Sequence, residues 1–104
     1  MDEAKLEALI TEATAHCYDE EDEFWGVFSA LISHVTFPVQ VRLSGEDATL
    51  IALDGPTSSP EAGVMVRVQT GGDEQVVPLG QVEPVAPDET AGQWLEAYRY
   101  WRGK

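Results

Sequence analysis

The stretch DEEDEFWGVFSALISHVTFPVQVRL, residues 19–43, decides the fold because the spacing of its apolar residues changes at Pro38. Before the proline, apolar residues recur every three or four positions, as on one face of an α-helix. This stripe comprises Phe24, Val27, Phe28, Leu31, Ile32 and Val35. After the proline, apolar and polar residues alternate, as in a half-buried strand. Because the residue before proline avoids the α conformation, we predict a helix over 20–35 and a strand over 39–43.

The flanking segments extend this pattern in both directions. Upstream, helical spacing of apolar residues predicts a first helix from Asp2 to Cys17. Downstream, further strands are predicted over 49–53, 64–69, 75–79 and 81–84, and a last helix is predicted after Asp88, with Ala91, Trp94, Leu95, Tyr98 and Trp101 on its buried face. The predicted class is α+β: two N-terminal helices, a small antiparallel SH3-like barrel or sheet of four to five strands, and a C-terminal helix. With 104 residues, we expect a single domain over residues 1–104.

The charge of the chain restricts its partners. Nineteen acidic residues against six Lys and Arg residues give a net charge of −13, which repels nucleic-acid phosphates and anionic membranes. We therefore expect no nucleic-acid and no membrane partner, and we expect a basic protein or a hard cation instead. The single cysteine allows no internal disulfide, and the acidic start is unlike a secretory signal. A cytoplasmic location is predicted.

No residue pattern indicates catalysis. Cys17 lies on an apolar stripe beside acidic residues that would raise the pKa of its thiol. His16 and His34 are far apart in sequence, and Ser58 has no nucleophile-elbow context. The chain is predicted not to be an enzyme.

Five consecutive carboxylates, Asp19–Glu23, form what we call the acidic run. One or two acids at a helix start are favoured by the helix dipole, but five repel one another. A calcium ion, which takes six to eight oxygen ligands, would relieve that repulsion, and a solvated acidic face is the alternative. An EF-hand is excluded because Phe24 and Ala30 would occupy its glycine and bidentate-glutamate positions. Candidates for further oxygen ligands are Glu12, Asp47 and Asp54.

Several segments resemble a known family in their order and spacing. The run CYDEEDE at residues 17–23, followed by Trp25-Gly26 and then Phe37-Pro38, is similar to the opening of the bacterial, non-EF-hand calcium-binding proteins of the CcbP type. The likeness continues through Leu50–Gly55, Gly63–Val68, Val76–Leu79 and Val82–Val85 to the aromatic close Tyr98–Trp101. It covers the chain from about Ala15 to Trp101.

This resemblance implies a small bacterial protein that binds Ca²⁺ as a buffer or sensor. Carried over to this sequence, the implied metal ligands are Asp19, Glu20, Asp22, Glu23 and Asp54. The alternative function is an acidic protein-interaction module that docks a basic partner without metal.

Overall fold

The computed structural model describes residues 2–103, and these contain three α-helices and five β-strands. The helices are α1 (Glu3–Ala13), α2 (Glu20–His34) and α3 (Glu89–Arg102). The strands are β1 (Val39–Leu43), β2 (Glu46–Leu53), β3 (Met65–Thr70), β4 (Asp73–Pro78) and β5 (Val82–Pro84), with a 3₁₀ turn at Leu79–Gln81. This element order confirms the predicted α+β class.

The chain divides into two compact units. The helical unit contains residues up to Val35 together with residues from Asp88 onward, and the sheet unit is Thr36–Pro87. The expectation of a single domain over residues 1–104 stays a prediction. None of the helices in residues 2–103 is both long enough and apolar enough to cross a membrane.

In the helical unit, each helix begins at an aspartate that caps it. The carboxylates of Asp2, Asp19 and Asp88 accept hydrogen bonds from the backbone N–H groups of Ala4, Asp22 and Ala91, at 2.8, 2.9 and 2.8 Å. Such caps satisfy N–H groups that have no partner inside the helix. All three helices contact one another. Their buried side chains are Leu6, Ile10, Phe24, Val27, Phe28, Leu31, Val35, Ala91, Trp94, Leu95, Ala97 and Tyr98.

Three details of the helical unit differ from the sequence-based expectation. Helix α1 ends at Ala13 and not at Cys17, because the N–H groups of Ala15 and Cys17 donate to carbonyls only three residues back, those of Glu12 and Thr14, so the chain leaves the α-helical pattern. Ile32 is 54% exposed although it falls on the apolar stripe of α2. Trp101 is only half-buried. In each case helical periodicity predicted a wider or longer apolar face than the packing buries.

The sheet unit is a five-stranded antiparallel sheet with strand order β4-β3-β2-β1-β5. Ser44 and Gly45, with φ of 53° and 83°, form the β1–β2 turn, and positive φ at both central residues is typical of a type I′ hairpin. Strand β2 therefore begins at Glu46, three residues before the predicted start at residue 49. Alternate residues of the strands are buried, among them Val39, Val41, Leu50, Val66 and Val68.

Substitution of two tryptophans of α3 tests the assignment of its buried face. Trp94 is 3% exposed and its indole stacks on the His34 ring with centroids 4.7 Å apart. We expect Trp94→Ala to lower the free energy of unfolding by about 3–5 kcal/mol. Trp101→Ala should cost clearly less, because part of that ring already contacts water. Urea unfolding followed by circular dichroism measures both, and equal losses would contradict the packing described.

Candidate metal centre

The acidic run lies at the N-terminus of α2, as predicted. Asp19 is the N-cap residue in an extended conformation, and the other four acids form the first turn. The side chains of Asp19, Glu20, Glu21 and Asp22 are exposed, whereas Glu23 is half-buried. The backbone here is ordered by the helix, so the carboxylates project from a defined start.

Two of the five acids are tied into a reciprocal cap. Asp19 Oδ1 accepts from the Asp22 N–H at 2.9 Å, and Asp22 Oδ2 accepts from the Tyr18 N–H at 3.4 Å. The arrangement resembles a capping box in which the returning side chain reaches one residue further back than usual. Asp19 and Asp22 are therefore held together at the helix start. One oxygen of each carboxylate carries the cap, which leaves the other oxygen for a ligand role.

The electrostatic balance at the helix start is strongly negative. The helix dipole contributes the equivalent of about half a positive charge there, against five carboxylates. The neighbouring thiol responds to this environment. Desolvation raises the pKa of Cys17 above its ordinary value, and the carboxylates of Asp22, Glu23 and Asp19 raise the pKa further. The pKa is therefore raised, as expected for a thiol beside these acids.

Gly26 is a residue whose importance the sequence reasoning missed. A Cβ atom at this position would lie 2.6 Å from the carbonyl oxygen of Ala13 and 3.0 Å from Cys17 Sγ. The only sequence signal was an isolated glycine inside a helical pattern, which often marks close packing.

Asp54 lies in the sheet unit, directly after β2. Its backbone N–H donates to the Met65 carbonyl at 2.8 Å, and its carboxylate accepts from the N–H and hydroxyl of Thr57. Within the same loop, the 6%-exposed Ser58 hydroxyl donates to the Asp54 carbonyl at 2.7 Å and accepts from the Met65 N–H at 2.8 Å. Asp54 thus has a structural role in its loop, whether or not it also binds an ion.

The other two candidate ligands are ordinary surface acids. Glu12 is exposed in the last turn of α1, and the exposed Asp47 lies 3.7 Å from Arg42 Nε in the sheet unit. Neither residue belongs to a cluster of three or more metal-binding side chains among residues 2–103.

The donor set fits calcium in its chemistry. All the candidate groups are carboxylate oxygens, the ligands that this hard cation prefers. Within residues 2–103, however, no group of three or more Asp, Glu, His or Cys side chains is gathered closely enough to hold a metal ion. Side chains of the acidic run would therefore have to turn toward a common point on binding.

Fold and site together define a class: a small α+β protein of three helices and a five-stranded antiparallel sheet, with a concentrated set of carboxylates at one helix start. A family model described as calcium binding, that of the CcbP proteins, matches residues 7–102. The chain belongs to this family, which confirms the predicted family and the predicted ion.

Solved structures agree with this assignment at the level of the fold. The crystal structure of Anabaena CcbP has a TM-score of 0.84 and 16% identity, covering 100% of this chain and 93% of its own. A calcium binding protein in the calcium-binding form has a TM-score of 0.80 and 17% identity, covering 98% and 91%. No curated protein matches the sequence significantly.

Two substitutions at Asp54 separate its loop role from a ligand role. Asp54→Asn keeps an oxygen that accepts from Thr57, so the free energy of unfolding should change by less than about 0.5 kcal/mol. Asp54→Ala removes the acceptor and should cost about 1 kcal/mol. If Asp54 binds the ion, both variants weaken calcium binding, whereas the control Asp47→Asn does not. Wild-type calcium affinity in Asp54→Asn, measured by calorimetry, would remove Asp54 from the ligand set.

Proposed function

We propose that this protein binds calcium through Asp19, Glu20, Asp22 and Glu23 at the start of α2, that Asp54 in the sheet unit also serves as a calcium ligand, and that the protein acts as a calcium buffer or sensor. The observation that carries the proposal is the concentration of carboxylates at one ordered helix start, in a chain of the CcbP calcium-binding family.

The helix geometry supports different roles for the five acids. Residues three apart share a side of a helix start, which groups Asp19 with Asp22 and Glu20 with Glu23. The observed cap already holds the first pair together. Glu21 lies between the pairs and has no acidic residue three positions away, so its side chain is the one we leave outside the ligand set. Calcium accepts such irregular oxygen ligands, and when bound it would neutralise part of the charge that the carboxylates place there.

We infer that the protein has no catalytic activity. The raised pKa of Cys17 disfavours the reactive thiolate, and both hydrogen bonds of the Ser58 hydroxyl serve the loop that contains it. The CcbP family is described as calcium binding and is not an enzyme family. The single cysteine supports a cytoplasmic bacterial protein, and the net charge of −13 supports the absence of nucleic-acid and membrane partners.

A second candidate function is docking of a basic protein partner. The Tyr18 side chain is 96% exposed directly beside the exposed carboxylates. A large aromatic ring next to a charged patch is a common composition for a protein contact site. In this reading the acidic run attracts Lys and Arg residues of the partner, and no metal is needed.

Calcium is expected to stabilise the fold. A ligand that binds only the native state adds about 2.7 kcal/mol at one hundred times its Kd. Melting temperatures are compared in EDTA, in millimolar calcium and in millimolar magnesium as a control. Magnesium should raise the melting temperature less, because it requires a near-octahedral set of ligands and retains its waters. Equal melting temperatures in EDTA and calcium would contradict calcium binding.

Single neutralisations along the acidic run are expected to give an uneven profile. Asp19→Asn and Asp22→Asn should each weaken calcium binding at least about tenfold, or 1.4 kcal/mol. Glu21→Gln is the matched control, since it removes the same charge and should change the affinity much less. Calorimetric titrations in 0.15 M salt provide the values, because salt screens general charge attraction more than a defined site. A flat profile across all five acids would favour the solvated acidic face and the docking function.

A further inference from the structure

Gly26 allows α2 to approach the end of α1 more closely than any other residue would. A Cβ atom would lie 2.6 Å from the Ala13 carbonyl oxygen, which is shorter than non-bonded carbon–oxygen contacts allow. Ala13 is the last residue of α1, and its carbonyl is backbone that no rotamer change can move. Glycine inside a helix costs about 1 kcal/mol relative to alanine. Its presence here is explained by this helix contact.

Cys17 occupies the same contact and links it to the acidic run. Its Sγ lies 3.0 Å from the position of the missing Gly26 Cβ and donates to the Asp22 carbonyl at 3.3 Å. Its backbone N–H donates to the Thr14 carbonyl at 3.1 Å. One side chain thus connects the segment after α1 with the first turn of α2.

This contact determines where the backbone enters the acidic run. Only Tyr18 separates Cys17 from Asp19, and the Tyr18 N–H is itself bonded to the Asp22 carboxylate. A shift of Cys17 would therefore displace the cap formed by Asp19 and Asp22. Rigidity of a calcium site is one of the factors that set its affinity, and groups placed before binding lose less entropy on binding.

We propose that Gly26 and Cys17 are positioning residues for calcium binding by the acidic run. Neither contributes a ligand. They hold the entry to α2 so that the carboxylates of Asp19 and Asp22 start from a fixed arrangement. The proposal rests on the function proposed above, and it adds that calcium affinity depends on the contact between α1 and α2.

Calcium affinity is compared between wild-type protein and four variants. Gly26→Ala and Cys17→Ala are expected to weaken binding about tenfold, the effect typical of removing a group that orients metal ligands. Cys17→Ser retains a donor toward the Asp22 carbonyl and should restore affinity to within about twofold of wild type. Gly80→Ala is the matched control, because no atom beyond its two chain neighbours lies within 4 Å of its added Cβ. Calorimetric titrations are made at a temperature where circular dichroism finds each variant folded.

The outcomes separate positioning from mere stability. A purely structural role would lower the melting temperatures of Gly26→Ala and Cys17→Ala but leave their Kd for calcium unchanged, which would overturn the proposal. If Gly26→Ala does not fold, the Cys17→Ala and Cys17→Ser pair decides, and equal affinities in that pair overturn it. Wild-type protein that binds no calcium would overturn the proposed function and this inference together. If Asp22→Asn weakens calcium binding but Cys17→Ala does not, this inference alone is overturned.

Discussion

Mutual repulsion among five adjacent carboxylates is the constraint around which the helical unit is organised. Each close pair costs roughly 1 kcal/mol in water, and the helix dipole returns only a few tenths to about 1 kcal/mol for each acid near the first turn. The helix still begins at this point because the residues that follow are deeply buried. Phe24, Val27 and Phe28 are at most 8% exposed, and full burial of one such side chain contributes about 1.5–3 kcal/mol. Burial of these apolar side chains therefore keeps the five carboxylates close together. A bound cation would reduce the repulsion among them.

Much of the fold could be predicted from the sequence because the hydrophobic period is unambiguous on either side of Pro38. The three helices and the strands follow from that period and from short polar turns. The end of α1 could not be predicted, because the apolar spacing continues to Cys17 while the backbone bonds already change to three-residue turns after Thr14. The exposure of Ile32 and Trp101 could not be predicted either. Periodicity identifies the apolar face of a helix but not how much of that face the neighbouring elements cover.

The candidate site was predictable as a concentration of charge and not as a geometry. Five consecutive acids are visible in any reading of the sequence, and the family resemblance favoured calcium where the physical argument left two options open. The contribution of Gly26 was hidden, because it depends on the approach of a carbonyl thirteen residues earlier in the chain. The loop role of Asp54 depends similarly on bonds to Thr57 and on the buried Ser58.

The distribution of aromatic residues between the two units has an optical consequence. All three tryptophans and all three tyrosines lie before Val35 or after Asp88, and Phe37 is the one aromatic residue within the sheet unit. Near-ultraviolet absorption and intrinsic fluorescence therefore report on the helical unit, while the five strands contribute almost nothing to either signal. Denaturation followed by fluorescence alone would describe one half of the chain. Amide hydrogen exchange, which samples every strand, is the complementary method that reveals whether both halves lose their structure in one cooperative event.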